Sequence, residues 1–159
     1  EKNAAYNLLP YKALPPASMA QLKTYGKLGG ALLLSGSYLG TDTKSEEERL
    51  FMDEMLGVRA PGRVANDTLE GVWGMNTPIE LYNLPNATHY FVQHTDVLEP
   101  TKSTAFSVFS YGKGGFSAGV ANAEDMQRSI TLGFPFECIK HETLRKYVMQ
   151  GVLKYLLKK

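Results

Sequence analysis

The stretch Gly29-Gly30-Ala31-Leu32-Leu33-Leu34-Ser35-Gly36-Ser37-Tyr38-Leu39-Gly40 determines the expected fold. Its apolar run, Ala31 to Leu34, does not alternate with polar residues, which is typical of a parallel strand covered on both faces. The glycine pair before it ends a preceding helix, and the two later glycines allow a tight turn out of the strand. The stretch therefore predicts a central strand of an α/β sheet.

Three segments with helical spacing of apolar residues flank this strand. The first helix is expected to begin after Ser18, whose hydroxyl can cap it. Ser45 and Glu48 form a capping-box pattern for the second helix, which Gly57 should end. The third helix is expected from about Glu142 to Leu157.

Short apolar runs broken by turns occupy most of the chain between the second and third helices and predict strands. These strands are expected at Leu69–Trp73, Ile79–Tyr82, His89–Val92, Thr104–Tyr111, Phe116–Ala121 and Arg128–Leu132. The run Gly112-Lys113-Gly114-Gly115 predicts a hairpin turn, because glycines adopt positive φ without strain. The pattern indicates an α/β layered domain with an antiparallel, β-rich insertion.

Only two of the expected strands, Ala31–Gly36 and Arg128–Leu132, have the character of parallel strands. An open sheet usually has about four or more strands. We therefore expect the missing strands to lie upstream of Glu1. On this interpretation residues 1–159 are one domain that forms the C-terminal part of a longer polypeptide.

Composition excludes several classes of function. The chain has 159 residues, and 17 Lys and Arg against 16 Asp and Glu leave a net charge of +1, so we expect no nucleic-acid partner. One cysteine and three histidines cannot form a cysteine-rich zinc site, and we expect no metal and no cofactor. The apolar runs are shorter than the roughly 18 residues that a membrane span needs.

Three groups of residues are candidates for chemistry. Gly36 and Gly40 have the spacing of a nucleophile elbow, but Tyr38 stands at its centre and Ser37 beside it. A phenol with a pKa near 10 is a poor nucleophile, so a turn without catalysis is the favoured interpretation. His94 and Asp96 would point to one face of a strand and could pair as a base and its orienting acid.

The third candidate is Cys138, with Glu137 before it and His141 after it. A cysteine becomes reactive when a neighbouring cation or helix N-terminus lowers its pKa. Cys138 also has the apolar residues Phe136 and Ile139 close to it in sequence, however, and a buried structural role is the favoured interpretation. The aromatic residues of the β-rich region favour core packing over a glycan-binding surface.

Taken in order, these motifs resemble the class I glutamine amidotransferase-like domains. In that family a Gly-x-Cys-x-Gly turn presents the nucleophile, and a His-Pro-Glu element supplies the base and its acid. Here Tyr38 holds the cysteine position, and Phe134-Pro135-Phe136-Glu137 matches the second element with Glu137 but no histidine. The resemblance implies a flavodoxin-like three-layer sandwich with a mostly parallel sheet and a degenerate active site.

More narrowly, Leu34 to Asp42 and Gly133 to Glu137 resemble the C-terminal portion of secreted Bacteroidetes proteins of the xanthan lyase-like or golvesin-related kind. This resemblance implies a catalytically silent accessory module of a secreted, periplasmic or cell-surface protein; without it a cytoplasmic location is expected. Its partners would be other domains of the same polypeptide and a polysaccharide. The alternatives are a hydrolase or lyase that uses Ser37 or Tyr38 with His94 and Asp96, and a module that binds glycan or protein.

Overall fold

The computed structural model describes residues 12–63, 69 and 71–158. In chain order the elements are α1 (Pro16–Lys27), β1 (Ala31–Ser35), α2 (Glu46–Phe51), a π-helical turn (Met52–Leu56), β2 (Val58–Gly62), β3 (Val72–Gly74), β4 (Thr77–Ile79), β5 (Val97–Pro100), β6 (Ala105–Tyr111), β7 (Ser117–Glu124), β8 (Gln127–Leu132), a 3-10 turn (Phe136–Cys138) and α3 (Glu142–Leu156).

Six of these strands form one sheet in the order β1-β8-β7-β6-β3-β4. Only β1 and β8 are parallel, with Leu33 opposite Ile130, and every other pair of neighbours is antiparallel. Strands β2 and β5 form a separate antiparallel pair, in which β5 packs near β7. The expected fold class is therefore wrong: the described chain is mostly antiparallel sheet with few helices, not a mostly parallel three-layer α/β sandwich.

Strand β1 explains this error. Leu32 and Leu34 pack on one face with Met19 of α1, while Leu33 packs on the other face against the cluster that contains Val148 of α3. Helices thus cover both faces of β1, which accounts for its unbroken apolar run. Yet β1 lies at the edge of the described sheet rather than at its centre, so this run predicts local coverage and not the direction of the other strands.

The helix ends follow their local chemistry. The Ser45 hydroxyl accepts a hydrogen bond from the Glu48 N–H (3.2 Å), and the Glu48 carboxylate accepts one from the Ser45 N–H (2.9 Å), so the predicted capping box is confirmed. Gly57, at φ +66°, ends the π-helical turn as expected. Helix α1 differs, because it begins at Pro16 without a side-chain cap instead of after Ser18. Proline needs no partner for its nitrogen at a helix start.

The β-rich region is predicted only in part. The β6–β7 hairpin is confirmed, with Gly112 and Gly114 at positive φ in its turn, and β8 matches the expected strand. Strand β3 begins later than expected, at Val72, and residue 70 of that expected strand lies outside the described residues. Strand β4 ends at Ile79, where the expected strand began. Strands β2 and β5 were not predicted.

The expected strand His89–Val92 is wrong, because this segment is an irregular loop. The Asn86 side-chain oxygen accepts hydrogen bonds from the N–H groups of Thr88 (3.1 Å) and His89 (2.6 Å). Such side-chain bonds compete with strand pairing for the backbone donors. At the end of this loop Val92 is fully buried, and its N–H donates to the Tyr82 carbonyl (2.7 Å).

We predict that Phe134→Ala lowers the free energy of unfolding by about 3–5 kcal/mol, as is typical of a phenylalanine removed from a core. Phe134 is fully buried and meets Phe109 edge to face, with ring centroids 6.1 Å apart. Urea unfolding followed by circular dichroism measures the change. Phe116→Ala is the matched control, because Phe116 is 69% exposed. Equal losses in the two variants would contradict this description of the core.

Candidate functional site

The turn after β1 lies at the end of β1 and β8, the only parallel strand pair among the described residues. Tyr38, at its centre, has φ +67°, a left-handed conformation that is strained for an aromatic residue. At the start of the turn, the Ser35 hydroxyl donates to the Phe134 carbonyl (3.1 Å) and accepts from the Phe136 N–H (2.6 Å). The turn and the segment after β8 are therefore held side by side.

The carboxylate of Asp96 holds this turn in place from beneath. It accepts hydrogen bonds from the Gly40 N–H (3.0 Å), the Thr41 N–H (2.9 Å) and the Thr41 hydroxyl (2.7 Å). Asp96 has no exposed surface. A Cβ atom at Gly40 would collide with the Ala60 side chain, so the close approach requires glycine here.

Burial and hydrogen bonding act on Asp96 in opposite directions. Burial is the largest single influence and favours the neutral acid, but the side chains of His94 and Thr41 and the N–H groups of Gly40 and Thr41 together outweigh it. The pKa of Asp96 consequently lies below its ordinary value. Asp96 is therefore an ionised acceptor whose own side chain has no water-exposed surface.

The ionisation of Asp96 fixes the direction of the hydrogen bonds around it. Because an ionised carboxylate can only accept, the Thr41 hydroxyl must donate to Asp96. Its oxygen can then accept from His94 Nε2, which lies 2.8 Å away, so that nitrogen carries a proton. His94 Nε2 is 3.6 Å from the nearer Asp96 oxygen, and the contact between the two residues runs mainly through Thr41.

The Tyr38 ring stacks on the His94 imidazole, with ring centroids 4.3 Å apart and planes 15° from parallel. The buried His94 ring thus supports the strained residue at the top of the turn. The structure brings together three of the predicted site residues: Tyr38, His94 and Asp96. Ser37 is half-buried beside them, whereas Glu137 is exposed and has no hydrogen bond or ion pair with these residues in the described part of the chain.

Thr41 and Tyr111 belong to the site although the sequence analysis did not select them. The Tyr111 hydroxyl lies 2.9 Å from the Asp96 carbonyl and 2.8 Å from the Gly133 carbonyl, and it donates to this pair of oxygens. Burial, followed by the nearby Asp96 charge, raises the pKa of Tyr111 well above its ordinary value. The hydroxyl directly after Gly40 could have suggested Thr41, but no local pattern indicates Tyr111.

The candidate reactive group around Cys138 is not assembled. Cys138 is fully buried, and burial together with the charge of Glu137 raises the pKa of its thiol to about 12. His141 is exposed, and its Nε2 lies 3.9 Å from a carboxylate oxygen of Glu80. Because a thiol needs a lowered pKa to act as a nucleophile, this geometry supports the structural interpretation of Cys138.

Across residues 12–63, 69 and 71–158, no three His, Cys, Asp or Glu side chains lie close enough together to hold a metal ion. None of the helices in this part of the chain is both long enough and apolar enough to cross a membrane.

Comparison with known proteins gives structural neighbours only. No family model matches the chain, and no curated protein sequence matches it. Among solved structures, a catalytic mutant of a GH42 β-galactosidase from G. stearothermophilus superposes with a TM-score of 0.59 at 14% identity, over 89% of this chain and 20% of that chain. A β-galactosidase from the haloarchaeon Halorubrum lacusprofundi gives 0.59 at 17% identity, over 92% and 21%.

An exo-β-1,4-mannosidase from an Opitutaceae bacterium is also similar, with a TM-score of 0.55 at 12% identity, over 91% of this chain and 23% of that chain. The chain spans about a fifth of the length of these neighbours and shares the fold of one part of them. The expected membership of the glutamine amidotransferase-like, flavodoxin-like class is therefore wrong. The motifs behind it, a glycine-rich turn and a Pro-Phe-Glu segment, are short and occur in other folds.

We predict that Asp96→Asn lowers the free energy of unfolding by about 1.5–3 kcal/mol near neutral pH. The side-chain NH₂ of asparagine is a donor, and it would face the N–H and hydroxyl groups that donate to Asp96. Its lowered pKa means that ionised Asp96 stabilises the fold above about pH 4 and that this contribution is lost as pH falls through the folded-state pKa. The variant should therefore lose less stability on acidification than the parent chain.

Urea unfolding between about pH 2.5 and 7 measures both effects. Asp53→Asn is the control, because the Asp53 carboxylate has no hydrogen-bond partner among the described residues. If the free energy of unfolding depended on pH in the same way for the parent chain and for Asp96→Asn, the ionised state of Asp96 would be contradicted.

We predict that Cys138 does not react with Ellman's reagent in the folded chain at pH 8, because its thiol is buried and stays protonated. In guanidinium chloride one equivalent should react, since the chain has one cysteine. The absorbance of the released thionitrobenzoate is the readout. Rapid reaction in the absence of denaturant would contradict the buried placement.

Proposed function

We propose that this chain is a non-catalytic domain of a larger carbohydrate-active protein. The fold supports this proposal, because its neighbours are parts of two kinds of glycosidase and the chain corresponds to about a fifth of their length. A domain of this size that lacks its own reactive centre would act with other domains of the same polypeptide. A polysaccharide would be the ligand or substrate of the whole multidomain protein.

The proposal that the domain is non-catalytic rests on the residues and hydrogen bonds of the turn after β1. Its centre holds Tyr38, a phenol, where an elbow needs a hydroxyl or thiol that a base can activate. The candidate base, His94, uses its Nε2 proton on Thr41, and each partner of the Asp96 carboxylate is a donor that fixes the turn. The Asp96 carboxylate, the Thr41 hydroxyl and His94 Nε2 thus bind one another, and we assign this cluster a structural role in holding the turn.

A hydrolase or lyase is the second candidate, and one observation favours it. Tyr38 and His94 are in contact, so the usual hydrogen-bond reach of about 3 Å could be met after a small movement of the ring. In the structure the two rings stack face to face, an arrangement that does not direct the Tyr38 hydroxyl at an imidazole nitrogen. Activity measurements separate the two candidates.

We predict that the chain shows no saturable turnover of nitrophenyl galactosides, mannosides or acetate. We also predict that Tyr38→Phe changes the free energy of unfolding by less than about 0.5 kcal/mol, because the phenyl ring keeps the stack on His94. Release of nitrophenol and urea unfolding provide the two measurements.

Tyr90→Phe is the matched control for Tyr38→Phe, because Tyr90 is 73% exposed in the irregular loop. Turnover that is present in the parent chain and in Tyr90→Phe but absent in Tyr38→Phe would establish the enzyme candidate. Turnover that Ser37→Ala abolishes would do the same with Ser37 as the nucleophile.

A further inference from the structure

A surface groove of about 240 Å³ lies where the β3–β4 hairpin meets the turn after β6. We call it the Trp73 groove; its walls include Gly71, Trp73, Pro78, Glu80, Gly112 and Lys113. Its volume is below the roughly 300–1,000 Å³ of sites for drug-sized ligands, and it suits a single sugar ring of a longer chain. It is separate from the cluster around Asp96, which shares none of these wall residues.

Backbone groups shape the floor of the groove. The Gly112 N–H donates to the Gly71 carbonyl (3.1 Å), which ties the turn after β6 to the start of β3. Gly71 has φ +139°, and a Cβ atom there would come within 2.5 Å of the Ile79 carbonyl oxygen. A Cβ atom at Gly112 would meet nothing within 4 Å, so this side of the floor is open space.

Trp73 supplies a flat apolar wall. Its neighbours Val72 and Gly74 are buried, and because side chains alternate along a strand, the half-buried Trp73 points to the opposite face. Pro78 stands opposite Trp73 on β4 and extends the apolar surface. One face of a pyranose ring consists of C–H groups, which pack on an aromatic ring as other apolar groups do.

Lys113 supplies a positive charge beside this wall. Its ammonium lies 5.1 Å from the centroid of the Trp73 ring, and it has no ion-pair partner among the described residues. Among the described residues of the groove, the acid is Glu80, whose carboxylate lies 3.3 Å from the Lys140 ammonium. Of these described residues, Lys113 is thus the charged group that can meet a ligand, and its flexible stem allows the ammonium to leave the ring face.

We propose that the Trp73 groove binds an acidic glycan, with the ring of a uronic acid on Trp73 and its carboxylate on Lys113. The proposal rests on the proposed function and names its ligand class. A charge-assisted hydrogen bond between ammonium and carboxylate replaces the weak contact between Lys113 and the indole at an exposed site. A neutral sugar could stack on Trp73, but it has no carboxylate to pair with the Lys113 ammonium.

Trp73 is the only tryptophan of the chain, so its fluorescence reports on the groove directly. Titration with tetragalacturonate should give a saturable change, whereas neutral cellotetraose should bind at least about tenfold more weakly. Lys113→Gln should weaken tetragalacturonate binding at least about tenfold, a rise of one unit in log Kd. Lys146→Gln is the matched control, because Lys146 is an exposed lysine of α3 that pairs with Glu142 (2.8 Å).

Calorimetry with Trp73→Ala adds a measurement that does not depend on fluorescence, and binding should be lost. Should that variant be unfolded by circular dichroism, the comparison of Lys113→Gln with Lys146→Gln decides alone, since both residues are at the surface. No saturable change with tetragalacturonate, equal affinity in the two lysine variants, or equal affinity for cellotetraose overturns the proposal. Failure here leaves the non-catalytic proposal standing, whereas turnover of nitrophenyl substrates overturns that proposal and not the binding site.

Discussion

The buried carboxylate of Asp96 is the constraint on which the rest of the structure depends. An ionised group without access to water must be given donors, and here the turn after β1 supplies them from Gly40 and Thr41. The turn can supply them only if it folds tightly over the carboxylate, which places Tyr38 at positive φ. The strain at Tyr38 is thus a consequence of satisfying Asp96, and the stack on His94 offsets part of it.

Local chemistry made part of the fold predictable. The capping box at Ser45, the stop at Gly57, the hairpin after β6 and the closing helix each depend on a few neighbouring residues, and the sequence analysis located them. Strand direction depends instead on which distant segments pair. β1 is covered by helices on both faces, as a strand of a parallel sheet is. Nothing in its residues indicates that it lies at the edge of a sheet whose other strands pair antiparallel.

The candidate site, like the fold, could be predicted from the sequence only in part. His94 and Asp96 were selected because their spacing allows them to share a face, yet they come together through a loop, and Thr41 bridges them. Tyr111 comes from a distant strand, and its contact with the Asp96 and Gly133 carbonyls could not be inferred from any spacing. The sequence therefore indicated which residue types could form a polar cluster, and the tertiary fold determined whether the cluster is reactive or satisfied.

The end of β6 connects the cluster around Asp96 to the Trp73 groove beside β3. Tyr111 is held by the carbonyls beside Asp96, the next residue, Gly112, donates to Gly71, and Lys113 follows over the Trp73 ring. Three consecutive residues thus run from the buried network to the Trp73 groove. Because a rigid backbone fixes where a flexible side chain starts, the polar cluster can serve ligand binding by positioning this segment without taking part in any chemistry. This arrangement gives a physical reason for a chain to keep a fully satisfied polar cluster at a turn whose geometry would otherwise be unfavourable.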